Sequence, residues 1–273
     1  MFWMNKLIAN VGQLMDISYY QKWFDQYTDQ YLNQDDEKDY PFILKKKHTR
    51  RVCKAICSIC DDLVVSDETR YLAQIIALFH DLGRFEQYAK YGTFRDIDSV
   101  NHGIQSIRDL MRHNVLKNLT PKQKKIVCNA IRYHNVANVP LNKSPEILFF
   151  IHLIRDADKL DIWNIFIDYF SNKETQKNNV IELGVPDNPE ITDDILQALF
   201  NGKIALISKV QTLNDFKLIQ LSWIYDLNFR FSFEWVKKNQ IIELLTQLLP
   251  KTIEIQQLTQ KLIDYLDQRL NQS

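Results

Sequence analysis

Residues 66–85 read SDETRYLAQIIALFHDLGRF. Ser66 or Asp67 offers a side-chain oxygen as a helix N-cap, and Leu72, Ile75, Ile76 and Phe79 follow at helical spacing. The apolar run ends on His80-Asp81. An imidazole beside a carboxylate is costly to bury against so apolar a helix, unless the two are paired or hold a metal ion. The segment predicts a helix with chemistry at its end.

The same grammar recurs outward from this stretch. Thr120-Pro121-Lys122-Gln123 combines an N-cap threonine, a first-turn proline and a glutamine at the capping-box position. Val127, Ala130 and Ile131 then form an apolar stripe pointing toward His134. Ser144-Pro145-Glu146 opens another helix through Ile147, Ile151 and Ile154 to about Phe170. The C-terminal third predicts helices over Ile195–Leu206, Phe216–Tyr225, Phe233–Leu249 and Ile253–Leu270. Polar, breaker-rich stretches at 34–47, 138–145 and 172–189 separate these runs. Only six Gly and seven Pro occur in 273 residues, which favours few, long elements. Period-2 alternation is rare, so the predicted fold class is all-α.

Composition narrows the function. Lys+Arg and Asp+Glu are both 34, giving zero formal net charge. A general nucleic-acid binder carries a basic excess, so no nucleic-acid partner is expected. No apolar run reaches the length of a membrane span, so no membrane partner is expected either. The N-terminal stretch does not read as a secretory signal. Four cysteines make no disulfide framework at this size, and a cytoplasmic, reduced protein is the expectation. Cys53, Cys57 and Cys60 share one face of an apolar helix and read as core, not as a cluster site. Tyr19, Tyr20, Trp23, Phe24, Tyr27 and Tyr31 predict a helix packed on the domain. Phe229, Phe231, Phe233 and Trp235 predict a seat for the C-terminal helices or a homodimer contact.

Histidines number six. His80 adjoins Asp81, and FFIHLIRDADKLDIWNIF (149–166) places Asp156, Asp158 and Asp161 in a helix apolar on nearly all sides. Carboxylates in a buried helix need cations. A mixed imidazole and carboxylate set suits first-row divalent metals.

Three words carry a resemblance: HTRRV from His48, HDLGR from His80 and ADKLD up to Asp161. In the order H…HD…D they resemble the HD-domain superfamily of metal-dependent phosphohydrolases. The intervals are 32 residues from His48 to His80 and 77 from Asp81 to Asp158. The resemblance implies His48, His80, Asp81 and Asp158 as metal ligands. Asp158 is preferred over Asp156 because of the ADKL word. His102 and His134 extend the order to H…HD…H…H…D, similar to the dinuclear branch, in which they bind a second metal and Asp81 bridges. The implied architecture is an HD-domain helical bundle with a helical C-terminal extension. Its bounds are an N-terminal lead (1–18), the HD domain (19–170) and the extension packed on it (171–273).

The implied cofactors are two divalent ions drawn from Mn, Fe, Co, Ni, Zn or Mg. The implied reaction is hydrolysis of a phosphate ester or anhydride of a nucleotide or related small molecule. Asp81 and Arg84 are the catalytic candidates. Arg84, Lys159 and Arg51 are the candidates for binding the substrate phosphate. His113 and His152 read as ordinary hydrogen-bonded core residues, His152 with an outer-shell role open to it. Two departures narrow the substrate. RYHN and VANVP lack the tandem histidine and GYP of the cyclic dinucleotide phosphodiesterases, and HDLGRFE departs from the HDxxED of guanosine polyphosphate hydrolases. The same ligand order also occurs in HD-fold diiron oxygenases, and a metal-bound regulatory module without turnover is a third alternative.

Overall fold

A computed structural model describes residues 16–171 and 178–272. The first fifteen residues of the expected N-terminal lead, and residues 172–177 of the polar stretch at 172–189, lie outside the described residues. The protein is all-α, and no strand occurs among the described residues.

Seven helices build the first part: α1 (Ser18–Asp29), α2 (Asp36–Asp62), α3 (Asp67–Phe79), α4 (Gly83–Tyr91), α5 (His102–Arg112), α6 (Pro121–Tyr133) and α7 (Pro145–Ser171). Ser66, not Asp67, caps α3 by accepting from the Thr69 amide. Thr120 and Gln123 form the reciprocal capping box at the start of α6. Helix α2 begins at Asp36, inside the stretch expected to be irregular. Asp35 caps it, and Asp36, Glu37 and Asp39 in its first turn complement the helix dipole. The three lysines 45–47 are therefore helical.

Helix α7 is apolar nearly all round and is the central rod, as such a pattern requires. Helices α2, α3 and α6 pack against it. Helix α1 lays Tyr20 and Phe24 on the core, where they meet the Phe79 and Phe85 rings. Two glycines set how closely the remaining helices approach. A Cβ on Gly83 would fall 2.4 Å from the His102 carbonyl oxygen, and one on Gly103 would fall 2.8 Å from that of Ile131. Only glycine lets α4 meet α5, and α5 meet the end of α6, at these distances. Ser106 ties the same junction, accepting from the Gly83 amide and donating to the His80 carbonyl.

The C-terminal part comprises α8 (Asn179–Glu182), α9 (Asp193–Phe200), α10 (Leu213–Ser222), α11 (Arg230–Lys238), α12 (Ile241–Gln247) and α13 (Ile253–Asn271). Two expected helices are corrected here. The one expected to reach Leu206 stops at Phe200, because Asn201-Gly202 turns the chain with Gly202 at φ +66°. The one expected over Phe233–Leu249 is two helices, broken where Gln240 adopts φ 52°. Helices α11 and α12 also pack on α7, and α11 touches α2 as well. Phe233 is buried beside Tyr265 of α13, so it seats the C-terminal helices.

Candidate metal centre

The six residues His48, His80, Asp81, His102, His134 and Asp158 come from five helices and meet in one place. His48 sits midway along α2. His80 ends α3, Asp81 follows it, His102 opens α5, His134 ends α6, and Asp158 lies midway along α7. Placing ligands at helix ends frees them from the 100° turn that would separate neighbours within a helix. All but Asp158 are buried.

The two oxygens of Asp81 face different partners. Oδ2 lies 3.5 Å from His48 Nε2 and 3.7 Å from His80 Nε2. Oδ1 lies 3.3 Å from His102 Nε2 and 3.8 Å from His134 Nε2. Asp158 Oδ1 closes the first side, 3.1 Å from His48 Nε2 and 3.6 Å from His80 Nε2. His48, His80 and Asp81 form one group compatible with a metal ion, and Asp81, His102 and His134 form another.

The hydrogen bonds behind the rings test whether a cation fits. His80 Nδ1 lies 2.8 Å from the Ala77 carbonyl, and His134 Nδ1 lies 2.7 Å from that of Ile131. His48 Nδ1 lies 2.7 Å from Asp161 Oδ2, and His102 Nδ1 lies 2.8 Å from both oxygens of Asp96. Carbonyls and carboxylates only accept, so each Nδ1 carries the proton. With Nδ1 carrying the proton, the neutral form of each ring turns an Nε2 lone pair inward. The Nε2 atoms of His102 and His134 face each other at 3.0 Å, and those of His48 and His80 at 3.4 Å. Facing lone pairs repel unless a cation lies between them. The donor set therefore fits divalent metal, and its outer partners are of the kind that orient metal-bound histidines.

The electrostatics agree. Burial and the neighbouring Arg84 push the His102 pKa down to about 3, so the ring is neutral and ready to ligate. Burial raises the pKa of Asp81, but Lys45 and the surrounding histidines outweigh it and hold the carboxyl well below the usual range. Asp158 is likewise ionised, held low by His48 and His80 against the cost of burial. For His48, burial and Lys45 push downward, yet hydrogen bonds to Asp158 and Asp161 outweigh them and raise its pKa. A proton and a divalent ion would compete for that Nε2, so metal uptake there would release protons.

Of the expected phosphate-binding residues, Arg84 is closest to the cluster. Its Nε lies 3.5 Å from Asp81 Oδ1, while Nη1 is held by Asp96 at 2.9 Å and by the Phe94 carbonyl. Arg51 binds Asp161 on the far side of His48, with Nε 2.6 Å from Oδ1. Lys159 is turned away altogether: its ammonium lies 2.6 Å from Asp226 and is buried. The one-residue step from Asp158 to Lys159 on a helix accounts for this. Asp156 is also turned away and accepts from the amides of Asn228 and Phe229. His113 is exposed, against the core expectation, packing on the Trp23 and Tyr27 rings. His152 is only half-buried, and its Nδ1 has no hydrogen-bond partner. Neither joins the cluster.

Three residues at the site escaped the sequence reading as partners. Lys45 stands 2.6 Å from Asp81 Oδ2. It lies one turn before His48 on the same face, a signal hidden among three consecutive lysines. Asp161 and Asp96 orient His48 and His102. Asp96 comes from a short 3₁₀ turn, which has no periodic signature.

The family model of the HD domain matches residues 46–163, a span that holds all six clustered residues. No curated protein and no solved structure matches the chain. HD domains belong to a superfamily of metal-dependent hydrolases. No helix among the described residues is long and apolar enough to cross a membrane.

Proposed function

We propose, from the premise that this chain carries an HD domain, that it is a phosphohydrolase using two divalent ions. Its substrate is a phosphate ester or anhydride, with nucleotides and related small molecules as the class to test first. The observation that carries this reading is the convergence of four imidazole Nε2 lone pairs on the two oxygens of one buried aspartate.

His48, His80 and Asp158 would hold one ion, His102 and His134 the other, and Asp81 both. Divalent ions bound there supply Lewis acidity and acidify water near neutral pH. Asp161 and Asp96 fix the tautomers of His48 and His102, so that Nε2 and not Nδ1 faces the cluster. Lys45 and Arg84 flank Asp81 from two helices and place positive charge where a phosphoryl group would enter. Two carboxylates against two divalent ions leave the site net positive even before Lys45 is counted. Arg84 is locked by Asp96 and the Phe94 carbonyl, so its charge is preorganised.

The test is phosphate release from a nucleotide panel and an aryl phosphate, with Mn, Fe, Co, Ni, Zn and Mg supplied in turn. Metal-dependent release supports the proposal. Iron loading with no release from any phosphate contradicts it and favours the oxygenase alternative.

A further inference from the structure

The C-terminal part meets the residues beside the metal centre through one partly buried carboxylate, Asp226, paired with two buried cations. Asp226 lies in a 3₁₀ turn directly after α10. Its Oδ2 accepts from Arg155 Nε at 2.9 Å and from Nη2 at 2.6 Å, and it lies 2.6 Å from the Lys159 ammonium. The remaining edge of Arg155 faces the end of α6. There Nη1 lies 3.2 Å from the Tyr133 carbonyl, 2.9 Å from that of His134 and 2.6 Å from that of Val136.

The last carbonyls of a helix have no partner within it. At the end of α6 a buried arginine supplies that partner, and the residue it holds is the ligand His134. Arg155 is only 4% exposed, so it must itself be neutralised. The other nearby carboxylate, Asp156, already accepts from Asn228 and Phe229. Without the Asp226 charge, Arg155 and Lys159 would be adjacent buried basic groups with only Asp156 beside them to offset their charge. Arg155 would be driven outward and would release the three carbonyls. Arg155 makes no hydrogen bond to His48, His80 or Asp158, although the His80 ring lies 5.2 Å from that of His134.

We propose that Asp226 is a positioning residue for the His102/His134 half of the metal centre, acting through Arg155 on the backbone of His134. This inference rests on the proposed metal-binding function and deepens it. It makes the C-terminal part a component of the site, not an appendage to it.

The experiment is calorimetric titration of metal-stripped full-length protein with Mn²⁺. Wild type should show two binding events. Asp226→Asn should leave one unchanged and weaken the other about 10- to 100-fold, the range for losing an outer partner of a metal ligand. Asp226→Glu should recover most of that loss. In a His134→Ala background Asp226→Asn should change nothing further. Arg155→Lys, which keeps the charge but cannot span the carbonyls, should reproduce the selective loss if Asp226→Asn folds poorly. Trp163→Phe removes a different tie to the C-terminal part, the Nε1 bond to the Gln220 carbonyl, and should lower thermal stability without selectivity. Equal weakening of both events, no weakening, or the same selective loss in Trp163→Phe would overturn the proposal. Wild type that takes up no Mn²⁺ would instead overturn the metal-binding reading beneath it.

Discussion

Helix α7 carries two sets of buried charge, interleaved within the single word RDADKLD. On one face lie Arg155, Asp156 and Lys159, and on another Asp158 and Asp161. The first face is closed. Asp156 takes backbone amides, and Arg155 and Lys159 share Asp226. The second face is open. Asp161 is satisfied by His48 and Arg51, but Asp158 Oδ1 meets imidazole nitrogens that have lone pairs to offer. Buried charge alone does not mark a site. What distinguishes the chemical face from the structural one is whether the partners already cancel each other.

Several substitutions would break or sharpen this contrast. The largest effect is expected from Asp81→Ala, which removes the carboxylate whose two oxygens face the two histidine pairs. Metal content should fall and hydrolysis should drop to background in a metal-dependent phosphatase assay. Asp161→Ala should be milder, lowering metal affinity about 10- to 100-fold by freeing the His48 tautomer. Equilibrium metal titration would show it, and unchanged affinity would make Asp161 purely structural.

At Asp156, the closed-face residue outside the Asp226 ion pairs, the expectation reverses. Asp156→Ala should leave the metal ions bound but cost about 1–3 kcal/mol in urea unfolding, because it removes the acceptor of the part-buried amides of Asn228 and Phe229. Loss of metal in that variant would erase the distinction between the faces.

A third kind of buried carboxylate sharpens the comparison. Asp109 of α5 is fully buried, and its Oδ2 has no hydrogen-bond partner. Burial and the neighbouring Glu86 push its pKa up to about 7. A folded-state pKa above the unfolded value means that the folded chain binds more protons between about pH 4 and 7. Its contribution to stability is therefore fully present below pH 4 and lost as pH rises through 7. Asp109→Asn should stabilise the protein at pH 8 by about 1–3 kcal/mol, the scale for relieving such a group. The gain should shrink toward pH 5, as read from urea midpoints at the two values. A gain independent of pH would contradict this.

Much of the cluster was legible because its ligands sit in short local words. HTRRV, HDLGR and ADKLD each keep a histidine or aspartate beside helix-forming neighbours, and the capping box at Thr120 marks the helix that delivers His134. The outer partners were less legible for a physical reason. Asp96 reaches His102 from an irregular turn, and Asp226 reaches Arg155 across 71 residues of sequence, so neither contact leaves a period. Lys159 misled because adjacency in sequence is not adjacency on a helix. The break at Gln240 was hidden because its left-handed backbone is held by a residue with no preference for it.

The most direct test of the open face is a count. Protein purified without chelator is analysed for metals per chain, wild type beside Asp81→Ala. The account predicts about two divalent ions per chain in wild type, falling sharply in the variant. No bound metal in wild type, or undiminished metal in Asp81→Ala, would contradict it.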